Sequence, residues 1–393
     1  MAIAQDRQEV IRIGVIGARG VGAIAGGIET YCANFYRHLP PERFRATIFV
    51  SRGTGSEGEG AFDVQPVPCL HGYHTEKLTS SFAAVFFAWR RGIRVLHYHG
   101  TSACISLPLA WMLGMRSVVR HVGAEYKRAK WGWLARMVLL LSEYLIAAFA
   151  DRIVCLNDDI VAHFRDVTGR TTGVCVVPNG VLRPDRAVRT DVLGRLGLRE
   201  GGFILAVGRL EPEKNLHLLI DAFKALDTPD WARLVIVGPV RASSAYACRL
   251  KEMAGDDGRI ILPGALFGAD LATLYGACRI FALPSSHEGM SFSLLEAAIA
   301  GANIVASDIP ANGFVCRGFG HFHAVDSLPD LAAVLARQWA RERSEQEIEA
   351  QIEYMISTHD WHHVAERVAL IFEDLAKPRH GKSDRLRNSS AHS

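Results

Sequence analysis

Phe203-Ile204-Leu205-Ala206-Val207-Gly208-Arg209-Leu210-Glu211-Pro212-Glu213-Lys214-Asn215 opens with an unbroken apolar run and stops at a glycine, after which a turn carries two cations. A short apolar run ended by Gly and Pro reads as a strand buried on both faces, and such strands belong to parallel sheets covered by helices. The pattern repeats downstream at 233–237, 260–262, 280–283 and 303–306, with helical spacing between. It repeats upstream at 11–16, 47–50, 95–98, 117–120, 152–156 and 174–177. Two doubly wound α/β domains account for two such series better than one oversized sheet, as the length of 393 residues also suggests. The turn-rich stretch Pro178-Asn179-Gly180-Val181-Leu182-Arg183-Pro184-Asp185 places the boundary. The expected division is 1–185 for an N-terminal domain and 186–358 for a C-terminal one. A helix over 359–376 and a polar, disordered tail over 377–393 complete it.

Composition narrows the function classes. Hydrophobic residues make up 49% and charged residues 22%, and a net charge of +3 creates no global field for nucleic acid. The eight cysteines form no CxxC pair and the start, MAIAQDRQEV, has no apolar signal core, so reduced cytoplasmic thiols are expected. Arg136 and Glu143 interrupt the most apolar stretch, 133–150, which is then too short to span a bilayer. The segment Lys127-Arg128-Ala129-Lys130-Trp131-Gly132-Trp133 before it has the composition of a peripheral membrane contact or of a basic cap on a core helix.

Three segments carry chemistry. In Gly17-Ala18-Arg19-Gly20-Val21-Gly22-Ala23-Ile24-Ala25-Gly26-Gly27, a glycine loop between strand and helix offers N–H groups to an anion. Its spacing departs from a dinucleotide fingerprint and no acid ends the next strand, which weakens the oxidoreductase reading. Arg209 and Lys214 leave the carboxyl end of a strand, where open α/β sheets bind ligands, and together can neutralise a diphosphate. The third segment is Pro284-Ser285-Ser286-His287-Glu288-Gly289-Met290-Ser291-Phe292-Ser293-Leu294-Leu295-Glu296-Ala297. Here Glu288 lies in a loop, Ser291 is placed to cap a helix, and Glu296 sits on that helix, with the N–H groups of 289–292 near its positive end.

These motifs, with Val235-Ile236-Val237-Gly238 and Ala306-Ser307-Asp308-Ile309-Pro310, resemble in order and spacing the retaining glycosyltransferases of family four. Gly26-Gly27-Ile28-Glu29-Thr30 resembles that family's N-terminal loop, and 125–132 resembles a subgroup that assembles capsule, exopolysaccharide or O-antigen. The resemblance implies a GT-B fold, two Rossmann-like domains facing across a cleft, and transfer of a sugar from a nucleoside diphosphate sugar to an acceptor hydroxyl with retention. It implies that Arg209 and Lys214 hold the diphosphate, Glu288 the sugar and Glu296 the ribose, while Gly26 and Gly27 close over the phosphates. Gly289, Met290, Ser291, Phe292 and Leu294 complete the donor loop, and Phe267 flanks the base. The donor is a substrate; no cofactor and no metal are expected, and the acceptor is a sugar or a lipid-linked sugar. Where the family carries a polar residue before the glycine aligned with Gly123, this chain has Val122, with His121 one place earlier. A bulge would turn His121 to the sugar, whereas a regular strand would bury it, leaving His97 and His99 as cleft-facing alternatives. A sugar-nucleotide epimerase and a catalytically weak sugar-nucleotide-binding subunit are the competing readings.

Overall fold

A computed structural model describes residues 10–20, 26–51, 62–70, 72, 75–127, 131–183, 189–239, 245–255 and 257–378. Residues 21–25 of the glycine loop, 128–130 of the basic segment, 184–188 of the expected boundary and 379–393 of the expected tail lie outside these.

The first series of strands is β1 (Ile11–Ile16), β2 (Phe44–Ser51), β3 (Phe62–Val67), β4 (Val95–His99), β5 (Arg116–His121), β6 (Arg152–Cys155) and β7 (Val174–Val176). They form one parallel sheet in the order β3-β2-β1-β4-β5-β6-β7. Its helices are α1 (Gly27–His38), α2 (Thr75–Arg90), α3 (Leu107–Met112), α4 (Trp133–Phe149) and α5 (Asp158–Thr168). The second sheet holds β8 (Phe203–Val207), β9 (Arg233–Val237), β10 (Ile260–Gly264), β11 (Ile280–Leu283), β12 (Ile304–Ser307) and β13 (His321–His323), in the parallel order β10-β9-β8-β11-β12-β13. A short helix, α6 (Val192–Arg195), precedes it, and α7 (Leu216–Ala225), α8 (Ala245–Ala254), α9 (Gly268–Ala277), α10 (Phe292–Ile299), α11 (Pro310–Val315), α12 (Leu328–Ala340) and α13 (Glu345–His359) accompany it. Helix α14 (Trp361–Ala376) follows.

Two strands escaped the sequence reading. β3 contains Pro66 and is partly exposed along its middle, which suits the sheet edge where a missing N–H is tolerated. β13 is only three residues long.

Side-chain alternation sorts the first core. Val118 and Arg120 of β5 face α1 and α14 with Tyr31, Phe35 and Phe372, while Val119 and His121 face α4 and α5. Chain reversal puts α14 on the first sheet: Val181 N–H donates to His359 O at 2.7 Å, and Asp360 caps α14 by accepting from His362 N–H at 2.8 Å. Trp361 is 1% exposed, and a Cβ on Gly180 would come within 2.3 Å of its ring, so glycine is required there by close approach. Removing that indole would cost about 3–5 kcal/mol of cavity and lost burial.

Candidate functional site

The turn after β8 is held in place from its far end. Asn215, in the left-handed region at φ 50°, starts α7 and donates to Pro284 O at 3.1 Å and to Asp326 Oδ1 at 2.6 Å. Ser286 N–H donates to Glu213 O at 2.9 Å, so the turns after β8 and β11 are joined through their backbones. The consequence is that Lys214 Nζ lies 2.5 Å from Glu288 Oε1, with side chains only 13% and 11% exposed. Arg209 leaves the same turn and donates to Glu211 Oε1 at 2.8 Å.

Beyond Glu288 the chain touches the first half of the molecule. A Cβ on Gly289 would lie 2.3 Å from Val122 O, a backbone atom that cannot swing away. Asn157 Nδ2 donates to Gly289 O at 3.4 Å, and Asn179 donates through N–H to Met290 Sδ at 3.2 Å and through Nδ2 to Met290 O at 3.3 Å. Met290 is therefore a buried joint between the two halves, and Leu294 is a wholly buried residue of α10. Ser291 occupies the N-cap position of α10 but makes no capping hydrogen bond; its Oγ pairs with Ser293 Oγ at 2.9 Å.

Gly27 and Phe292, the first residues of α1 and α10, also meet: a Cβ on Gly27 would lie 3.8 Å from the Phe292 ring. Two helix N-termini thus converge, each presenting N–H groups and a partial positive charge. Gly26 precedes α1 and leaves room for Glu29, whose Oε1 accepts from Arg19 N–H at 3.3 Å. On α9, Phe267 stands at the N-cap and is 63% exposed. Glu296, on α10, accepts from Tyr275 Oη at 2.9 Å. Burial pushes the Glu296 carboxyl up to about 7, with the tyrosine hydrogen bond pulling the other way.

The histidines are placed otherwise than expected. β5 pairs regularly with β6 through His121, without a bulge, so alternation turns the ring away from Arg120 and into the core. There Nε2 lies 2.6 Å from Glu143 Oε2 and the ring packs edge-on to Phe164. His97 and His99 are also wholly buried, bridged by Tyr36 Oη at 2.8 and 3.0 Å, rather than facing a cleft. Burial pushes His97 down to about 3 and His99 well below its usual range, with neighbouring Arg120 acting the same way.

Sequence reasoning passed over Arg120, Asn179, Lys77 and Tyr275. Arg120, 3% exposed, donates to Asn179 Oδ1 at 2.5 Å and lies 4.0 Å over the Tyr31 ring. Among the described residues it has no carboxylate partner, and Asn179, which accepts from it, donates in turn to Met290 O. The signal available was parity, since Arg120 alternates with His121. Lys77 lines a pocket with Arg19, Ser51 and Ser80 at the ends of β1 and β2, and burial lowers its ammonium pKa.

Two family models match this chain, "Glycosyltransferase Family 4" over residues 25–182 and "Glycosyl transferases group 1" over residues 201–337, and between them they take in most of it. The chain belongs to the family-four glycosyltransferases. An O-antigen chain mannosyltransferase B from Escherichia coli is 32% identical over 184 residues, 44% of each chain. The chain spans less than half the length of the first curated relatives that it matches. The fold of this family-four chain is GT-B. Sucrose-phosphate synthase from Thermosynechococcus elongatus superposes with a TM-score of 0.79 at 17% identity, covering 93% of this chain and 99% of that one. Anabaena HepE in complex with UDP and glucose superposes at 0.73, with 16% identity and coverage of 93% and 100%.

Proposed function

We propose that this chain transfers a sugar from a nucleoside diphosphate sugar to an acceptor hydroxyl, with retention at the anomeric carbon. The observation that carries this reading is the Lys214–Glu288 pair at 2.5 Å beside the converging N-termini of α1 and α10. A diphosphate brought there meets Lys214, Arg209 and two sets of helix N–H groups, all favouring the charge that grows on the leaving oxygen as the sugar bond breaks. Glu288, released from Lys214, accepts hydrogen bonds from hydroxyls of the transferred sugar. Glu296 accepts from the ribose, and Phe267 flanks the base. The departing diphosphate oxygen takes the acceptor's proton. Charge is met by side chains and backbone, so no metal enters the scheme.

The acceptor reading rests on a second observation. α2, α3 and α4 cover one face of the first sheet and leave Phe82, Phe86, Trp89, Trp111, Met112, Trp133, Leu134 and Met137 exposed, Trp133 by 77%. So large an apolar face, with Lys127 and Arg136 beside it, suits the surface of an anionic bilayer and an acceptor carried on lipid. Among the described residues no helix is long and apolar enough to cross a membrane, so contact would be peripheral. The name of the Escherichia coli relative supports a place in surface polysaccharide or glycolipid assembly.

A thermal-shift screen over UDP-, GDP- and other nucleotide sugars tests the donor claim. A true donor at 100 times its Kd stabilises the fold by about 2.7 kcal/mol, and stabilisation by none of them would refute the reading. Release of free sugar from a bound donor, without need for an acceptor, would favour an epimerase instead.

A further inference from the structure

Glu296 is a carboxylate in an unusual setting. It is mostly buried on α10, and among the described residues it has no cation as partner. One oxygen, Oε2, accepts from Tyr275 Oη at 2.9 Å; the other, Oε1, has no partner among the described residues and is not a buried unpartnered atom. Tyr275 is 3% exposed, on α9, and its ring packs against Phe281 of β11 at 5.7 Å between centroids, which fixes where the hydroxyl points. A phenol has one proton to give, and here the carboxylate receives it.

We propose that Tyr275 is a positioning residue for nucleotide recognition: its hydroxyl anchors Oε2 of Glu296 in the ionised form and leaves Oε1 to accept from a nucleoside diphosphate's ribose. This deepens the donor reading above and rests on it. The physical reason is that a carboxylate can accept two ribose hydroxyls only while ionised, and burial without a cation opposes ionisation. Burial holds the Glu296 carboxyl near 7, and the tyrosine hydrogen bond is what offsets it. The titratable group facing the pair is Cys278, at the C-cap of α9.

The test uses the full chain and two probes for each base, the nucleoside diphosphate (UDP or GDP) and its 2′,3′-dideoxy form. Their affinity ratio isolates the ribose contact and cancels titration of the diphosphate. In the wild type the ratio should favour the ribose form above pH 7.5. It should fall as pH drops through about 7, approaching tenfold per pH unit below it, because the free carboxyl then takes up a proton. Tyr275→Phe keeps the ring but removes the hydroxyl, so the midpoint should move to higher pH and the ratio at pH 7 should fall roughly tenfold. In a Glu296→Gln background, which has no charge to hold, Tyr275→Phe should change the ratio by less than about twofold. A wild type indifferent to the ribose hydroxyls would overturn the assignment of Glu296 itself. A wild type that discriminates, with Tyr275→Phe unchanged in ratio and midpoint, would overturn the role of Tyr275 alone. So would an equal loss in the Glu296→Gln background.

Discussion

Lys214 and Glu288 stand 74 residues apart in sequence and 2.5 Å apart in space. The pair neutralises itself, so on the donor reading proposed above an incoming diphosphate would exchange one anion for another at Lys214 and free Glu288 for the sugar. Donor binding and arrangement of the sugar-facing acid are then one event. The proposed coupling would act through two turns that the backbone link between Ser286 and Glu213 joins.

Glu288→Gln and Glu296→Gln should fail differently. The first should leave affinity for bare UDP or GDP within about threefold and weaken the intact nucleotide sugar at least tenfold; the second should weaken both on the order of tenfold. Isothermal titration of the two variants with both ligands checks the division. Equal loss of bare nucleotide in both would refute it.

His121→Ala removes the buried hydrogen-bond partner of Glu143 Oε2, a loss of about 1–3 kcal/mol. Denaturant unfolding should show it, while specific activity of the folded fraction stays within about threefold of wild type. Full stability with turnover reduced a hundredfold would place the ring at the sugar after all.

His97 and His99 give the fold an acid limit. Both are held neutral by burial, so the unfolded chain binds more protons than the folded one below the ordinary histidine pKa of about 6.5. Their stabilising effect is complete above that pH. As pH falls from about 6.5 towards 3, it is lost by about 1.4 kcal/mol per unit for each ring. Urea unfolding at pH 7.5 and 5 should differ accordingly, and His97→Gln should reduce the slope by one proton. A slope unchanged in that variant would contradict the assignment.

Turnover should survive EDTA. In this scheme Lys214, Arg209 and the two helix N-termini meet the charge of the leaving diphosphate, so chelation should change the rate by less than about twofold. Loss of activity restored by a divalent ion would require a different account of the leaving group.

What could be read from the sequence was what local pattern determines. Residues 203–207, 234–237 and 280–283 are apolar because both sheet faces are covered, and they fall on β8, β9 and β11. The edge strands β3 and β13 lack that signature, one for its proline and exposure, the other for its length. Arg209, Lys214, Glu288 and Glu296 were picked out by their place after strands and by resemblance. What tertiary packing decides was not legible: Tyr275 reaches Glu296 from another helix, and Asn179 bridges Arg120 to Met290 across the two halves. Alternation puts His121 and Arg120 on opposite faces of β5, but both faces are covered, so parity alone did not say which of them meets the site.

The central claim is most directly tested by following labelled sugar from whichever nucleotide sugar stabilises the fold into a pool of lipid-linked acceptors, with wild type and Lys214→Ala side by side. The account predicts labelled acceptor and equimolar nucleoside diphosphate in the wild type, the anomeric configuration of the donor kept. It predicts transfer slower by a factor on the order of 100 in the folded Lys214→Ala chain. Nucleoside diphosphate release without labelled acceptor, or equal transfer by the two proteins, would contradict it.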